Sequence, residues 1–237
     1  MTDPNDVSTA AVLLAGGSGS RVQEDINKVY LPLGERQIVS YALEALDRTP
    51  GIDLIVIVHR PEDRDMLQAV LATTETGTPI RSVLGGETRH LSEHAALEFL
   101  APYDRFDLVA IHDAARPFAT IELVTRLIDK AAGGMGAIPA LDPSHPIIGR
   151  DGSSIPNGDL VRVQTPQVFP AETLIAAYRA ATAAGFGGVD TAETVERYSD
   201  LPVEVVEGDP RNIKITFIED IFEAEMLALD WEAGNWV

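Results

Sequence analysis

The sequence predicts an α/β fold: one mainly parallel sheet with helices on both faces and a β-hairpin arm protruding from it. Three observations carry this. Short continuous apolar runs recur along the chain, such as AAVLLA at 10–15, LIVIV at 54–58 and LVAI at 108–111, the mark of strands buried on both faces. Helical segments separate these runs, the alternation from which parallel sheets are built. The alternation breaks once, over residues 141–159 (LDPSHPIIGRDGSSIPNGD), and then resumes.

Taken in order, the strand at 10–15 runs into a Gly/Ser/polar loop over 16–27. A helix is predicted over 39–48, with Leu43 and Leu46 among its apolar positions. The strand at 54–58 precedes a helix over 61–73, whose Pro61 suits a first turn. A third strand, 81–84, ends in Gly85-Gly86 ahead of a helix over 88–100. The fourth strand, 108–111, leads into His112-Asp113-Ala114-Ala115-Arg116-Pro117, and the helix over 120–132 has Thr120 as its N-cap. Residues 136–140 form a fifth strand.

The segment 141–159 holds three prolines and three glycines and has no helical period. A structureless loop of that length is unusual inside a compact domain. Asp151-Gly152 is a hairpin-turn signal between Ile147-Ile148 and Ser154-Ile155. The segment is therefore expected to be a hairpin arm that contacts a second subunit. Beyond it come a short strand at 162–164, helices over 171–184 and 191–198, a strand at 203–206, an extended stretch at 213–217 and a closing helix over 218–229. Residues 1–237 are expected to form a single domain. Sites in such sheets lie beyond the C-terminal ends of the strands, so the loops beginning at Gly16, Gly85, Asp113 and Asp142 are expected to meet.

The chain has 237 residues, 45% of them hydrophobic, enough for one sizeable core. Cysteine is absent, which rules out disulfides, thiolate metal sites and a cysteine nucleophile. The net charge of −19 repels polyanions, so nucleic acid and anionic membranes are not expected partners. No apolar run is long enough to span a bilayer, and residues 1–9 are polar without a signal-like core. A cytoplasmic protein is expected.

The strongest local signal is Leu14-Ala15-Gly16-Gly17-Ser18-Gly19-Ser20-Arg21, followed by Lys28. A Gly-rich turn directly after a buried strand lets backbone N–H groups approach phosphates. A Walker A loop would need Gly-Lys-Ser/Thr, which is absent, and the third glycine of a dinucleotide fingerprint is missing. The loop instead carries two cations, Arg21 and Lys28, seven residues apart. Cations fixed beside an α-phosphate lower the barrier to nucleotidyl transfer, because that phosphorus gathers negative charge at the transition state. On shape alone, the same residues also describe a tight turn with two solvated cations.

The run LLAGGSGSR…NKVYLPLGERQIVSYALEAL, with VLGGETRHLSEHAAL, VAIHDAARPF, VQTPQVF and GDPRNIKIT, resembles the 2-C-methyl-D-erythritol 4-phosphate cytidylyltransferase family, from about residue 10 to 229. The ribitol 5-phosphate cytidylyltransferases share the pattern. The resemblance implies a Rossmann-like nucleotidyltransferase sheet. It implies transfer of CMP from CTP to a phosphorylated polyol with release of pyrophosphate, most closely the methylerythritol phosphate of non-mevalonate isoprenoid synthesis. It also implies Mg²⁺ and a homodimer joined through the arm.

Carried over by position, Ala15, Gly16, Gly17 and Gly19 match the nucleotide loop, and Arg21 and Lys28 the cations on the pentacoordinate phosphorus. Gly86 and Ser92 match positions that hold the base; alone, Ser92 is a helix-face serine. Asp113 matches a residue near the acceptor hydroxyls and the Mg²⁺–phosphate cluster. Arg116 faces the acceptor phosphate in that pattern, and Lys214 binds phosphate and positions the acceptor. Alone, the first two make a strand-end ion pair and the third a solvated lysine. Thr165-Pro166-Gln167 reads as architectural with some site contact, and His112 as structural. His90 and His94 share a helix face without a third metal ligand, and solvent exposure is expected for them.

The resemblance also has departures. Asn27 stands where the family commonly has proline and Val29 where it has glutamine. On the acceptor side, Pro143, Asn157 and Val189 replace threonine, arginine and threonine. Asn157 supplies no charge for the acceptor phosphate. Arg162 lies five residues away and on a continuous strand would point to the opposite face, which leaves Arg116 and Lys214. Two alternatives stay open: a cytidylyltransferase for another polyol phosphate, and a nucleotide-binding paralogue without turnover.

Overall fold

The computed structural model describes residues 7–17, 26–153, 155 and 160–234. Gly19, Arg21 and Asn157, all assigned to the site from sequence, lie outside the described residues.

Strand β1 (Thr9–Leu14) is the centre of the molecule. Its residues Ala10 to Leu13 are fully buried, and it pairs in parallel with both β4 (Ile52–His59) and β6 (Leu108–Asp113). A strand covered on both faces has no alternation to keep, which is why its sequence is an unbroken apolar run. Between β1 and β4 lie a small antiparallel hairpin, β2 (Pro32–Leu33) and β3 (Arg36–Gln37), and helix α1 (Ile38–Asp47). Gly34 turns that hairpin at φ +61°, a conformation L side chains rarely adopt. The strands are too short to leave a period in the sequence, and no hairpin is expected there.

The sheet continues outward through β5 (Ile80–Leu84), parallel to β4. On the other side it runs through β9 (Gln167–Pro170), β7 (Gly136–Leu141) and β10 (Val203–Glu207), giving the order β10-β7-β9-β6-β1-β4-β5, with β8 (Arg162–Val163) on β7. The sheet is mainly parallel, as expected, but β9 is not in the sequence reading. It runs antiparallel to both β6 and β7, pairing Ile111 with Gln167 and Leu108 with Pro170. Pro170 has no N–H to give to a ladder, so the strand ends where helix α5 (Ala171–Ala183) begins.

Helices cover both faces. Helix α1, α2 (Arg64–Thr73) and α4 (Ile121–Ala132) pack Leu43, Leu67 and Leu127 against one side. Helix α3 (Arg89–Leu100), α5 and α6 (Thr191–Tyr198) pack Leu97, Leu174 and Val195 against the other. Thr88, Thr120 and Asp190 cap α3, α4 and α6, each side chain accepting a first-turn N–H. Helix α7 (Asp220–Glu232) closes a third cluster with Leu33, Tyr41 and Phe118. Among the described residues the stretch at 213–217 joins no ladder; Ile215 N–H donates to the Ala115 carbonyl in the loop after β6.

In the arm segment, the expected turn at Asp151-Gly152 is present. Gly152 has φ +84°, Gly149 N–H donates to the Ser153 carbonyl at 2.7 Å, and Asp151 accepts from Ser153. At its root β8 pairs antiparallel with the end of β7. Residues 154 and 156–159 of the segment lie outside the described residues.

Candidate active site

The registers set the ends of β1, β4, β5 and β6 side by side: Leu14 beside Val58 and Asp113, and His59 beside Leu84. The residues that follow them form one rim. Ala15 is buried and donates to the Val58 carbonyl, which turns the chain at Gly16. A Cβ on Gly16 would lie 3.9 Å from the Ser92 hydroxyl, so the first loop and the start of α3 are neighbours. Gly17 is exposed at the mouth.

The loop after β5 is held shut by Ser92. Its hydroxyl accepts from Gly86 N–H and donates to the Gly86 carbonyl, both at 3.2 Å. A Cβ on Gly86 would meet the Leu91 Cβ at 2.4 Å, so only glycine fits that approach. Gly86 and Ser92 thus stand together beside Gly16.

Lys28 opens a short 3-10 turn, Lys28–Tyr30, whose cap is Asn27. Asn27 is almost fully buried. Its amide donates to the Ala15 carbonyl at 2.6 Å and to Asp63 at 2.8 Å, and Arg60 clamps Asp63 through two further bonds. Residues 15 and 27 are therefore stitched together, and Lys28 follows that stitch directly.

Asp113, at the end of β6, is buried and gripped from two sides. Arg89 donates to one carboxylate oxygen and Lys214 to the other, the latter at 2.6 Å. Burial alone would raise its pKa, but the two cations hold the carboxyl well below the usual range. Arg89 also pairs with buried Glu93, which takes hydrogen bonds from Tyr178 and Thr191. Burial pushes the Glu93 carboxyl up, against the pull of Arg89. Arg89 has no role in the sequence reading. A signal was available: a cation in the first turn of a helix opposes the helix dipole, so one placed there needs a carboxylate.

Behind Asp113 the support is polar and buried. Asp113 N–H donates to the Thr165 hydroxyl at 3.0 Å, and that hydroxyl meets His112 Nδ1 at 3.1 Å. His112 Nε2 faces the Arg116 carbonyl at 3.0 Å. A carbonyl only accepts, so Nε2 carries the proton and Nδ1 accepts from Thr165. Burial lowers the His112 pKa to about 4 and keeps the ring neutral, which fits the structural role expected of it. Gln164 and Asn212 lock the 209–212 turn against the Thr165 backbone. Gln167 holds Asp190 and the Ala192 N–H. His90, expected to face solvent, is buried and stacks on Tyr178 at 4.7 Å; the face it shares with His94 is turned toward α5, whose apolar side needs covering.

Beside Asp113 opens a cleft of about 270 Å³, lined among others by Arg116, Arg162, Asn212, Lys214, Asp220 and Glu223. Arg116 donates to the Asn212 carbonyl at 2.8 Å and the Val163 carbonyl at 3.3 Å. Burial, with Arg89 and Arg162 nearby, lowers its pKa although Asp113 pulls it up. Arg162 lines this cleft, while Asn157, the residue from whose face the sequence argument turned it away, lies outside the described residues. The parity rule applies along a continuous strand, and β8 is only Arg162–Val163. Val189 is exposed and Pro143 partly so.

A protein-held metal does not fit this donor set. Both oxygens of Asp113 already face cations, and among the described residues no three His, Asp or Glu side chains stand together as a metal site. No helix among the described residues is long and apolar enough to cross a membrane.

Residues 9–229 match the family model for 2-C-methyl-D-erythritol 4-phosphate cytidylyltransferase (IspD). The chain is 35% identical to the enzyme of that name from Geobacillus kaustophilus, covering 92% of this chain and 95% of that protein. It is also 35% identical to the bifunctional enzyme IspD/IspF of Dinoroseobacter shibae, over 96% of this chain, but spans only 57% of that longer relative. Among solved structures, 4-diphosphocytidyl-2C-methyl-D-erythritol synthase from Anaerococcus prevotii superposes with a TM-score of 0.82 at 30% identity, covering 96% of this chain and 100% of that one.

Proposed function

We propose, on the premise that this chain belongs to the 2-C-methyl-D-erythritol 4-phosphate cytidylyltransferase family, that it transfers CMP from CTP to 2-C-methyl-D-erythritol 4-phosphate in isoprenoid biosynthesis. A phosphate oxygen of the acceptor forms a bond to the α-phosphorus of CTP. The bond from that phosphorus to the bridging oxygen breaks, and pyrophosphate leaves with the electron pair. The attacking oxygen is already ionised near neutral pH, so no general base is needed, and catalysis is positioning plus charge stabilisation.

In this reading Ala15, Gly16, Gly17 and Gly19 present backbone to the triphosphate, and Gly86 and Ser92 bound the base. Arg21 and Lys28 stabilise the pentacoordinate phosphorus. Lys214, fixed by Asp113, positions the acceptor, and Arg116 adds positive potential behind it. Asn157 keeps only hydrogen-bonding capacity. A divalent cation fits as one brought in on the nucleotide phosphates, since Mg²⁺ retains waters and takes few protein carboxylates; no step is assigned to it. The continuous sheet from β5 to β10 supports one domain. The arm is read as a homodimer contact, and charged, water-soluble substrates suit the cytoplasm.

The observation that carries the proposal is Asp113 held between Arg89 and Lys214 at the mouth shared by the Gly16 and Gly86 loops. The experiment is a pyrophosphate-release assay with CTP, ATP or GTP against methylerythritol phosphate, ribitol 5-phosphate and other phosphorylated polyols. Turnover is expected with CTP and methylerythritol phosphate. Faster turnover of ribitol 5-phosphate would reassign the acceptor, and no turnover with any pair would remove the enzymatic reading.

A further inference from the structure

Three cations line the cleft beside Asp113, and they differ in how far their hydrogen-bonding capacity is already committed. Lys214 is committed to Asp113 at 2.6 Å. Arg116 is committed at both terminal nitrogens, one on the Asn212 carbonyl and one on the Val163 carbonyl. Arg162 makes one long contact, Nε to the Asp142 carbonyl at 3.4 Å, and its terminal nitrogens bond no group among the described residues. No carboxylate pairs with it there. Of the two acidic residues on the cleft wall, Asp220 accepts the N–H groups of Thr216 and Phe217, and Glu223 is exposed at the rim.

A guanidinium with its outer fork open, in a cleft that already carries two other cations, is built to take a phosphate dianion by two parallel hydrogen bonds. We propose that Arg162 clasps the acceptor phosphate and sets the affinity for phosphorylated acceptors, while Arg116 acts as a fixed background charge. This rests on the cytidylyl-transfer reading for the identity of the anion. The position is chemically suitable: Arg162 sits at the root of the segment following β7 and lines the same cleft as Lys214, whose ammonium is held by Asp113.

Two measurements test it. In steady-state pyrophosphate release, Arg162→Gln should raise KM for the phosphorylated acceptor about tenfold or more, the loss expected for a charge-assisted pair. KM for CTP and the melting temperature should stay unchanged, because the side chain is exposed and its contact with the Asp142 carbonyl is long. Arg162→Lys should recover part of the loss, since it restores charge without the fork. An unchanged acceptor KM, or a parallel rise for CTP and acceptor, would overturn the assignment. The second measurement needs no turnover: inorganic phosphate titrated by ³¹P line broadening should bind wild type more tightly than Arg162→Gln. Equal broadening would overturn the clasp even if the enzyme is active. Loss of broadening would support it even if methylerythritol phosphate proves not to be the acceptor.

Discussion

Lys28 and Asp113 handle charge in opposite ways. Asp113 is neutralised before any substrate arrives, by Arg89 and Lys214, and so orients those two side chains. Lys28 is placed by its backbone, through the Asn27 stitch to Ala15, and in the proposed reaction its charge is most useful when the α-phosphorus becomes pentacoordinate. Lys28→Ala should therefore lower kcat by about 10²–10³-fold, as for loss of a transition-state donor, with a much smaller change in CTP affinity by calorimetry. An equal loss in both would mean that Lys28 binds ground state and transition state alike. At this scale the sequence was legible where chemistry is contiguous: Asp113 and Arg116 stand three residues apart, and Lys214 lies in a recognisable run. It was not legible for Arg89, whose partner is 24 residues away.

Elements buried on both faces announced themselves, and those shaped by pairing did not. Strands β1, β4 and β6 each contain a continuous apolar run, and the predicted spans differ from the observed ones mainly at the ends. Strand β9 hides because its buried Gln167 is polar, Pro166 precedes it and Pro170 ends it, and it owes its direction to two neighbours. The arm segment is the element whose role reaches beyond the chain. Ile147, Ile148, Val161 and Val163 are all exposed in and beside it. A lone hairpin is at best marginally stable in water, and a two-fold contact would cover these side chains. Replacing residues 143–158 by a short Gly-Ser turn should convert a dimer to a monomer in light scattering, with melting of the remaining sheet intact. A shortened protein that stays dimeric would remove the arm from the interface.

Across the whole molecule, a net charge of −19 makes a cationic cleft a local construction, held up by a buried polar scaffold rather than by overall potential. His112 is the part of that scaffold most exposed to pH. Unfolded, its pKa is near 6.5; folded, burial lowers it to about 4. A depressed folded pKa means that its contribution is fully present above about 6.5 and is lost as pH falls toward 4, because the unfolded chain takes the proton first. Asp113, also depressed, adds its loss only below the ordinary carboxylate range, so it leaves this window to His112. Glu93, pushed up by burial, works in the opposite sense and moderates the slope. Between pH 7 and 5 the His112 share amounts to about 2 kcal/mol. Denaturant melts at those two pH values should show that loss in wild type, and a flatter dependence in His112→Asn, whose amide can still donate to the Arg116 carbonyl but does not titrate. Equal slopes in the two proteins would show that the folded state accommodates the imidazolium, and that the Thr165–His112–Arg116 chain supporting Asp113 rearranges on protonation instead of resisting it.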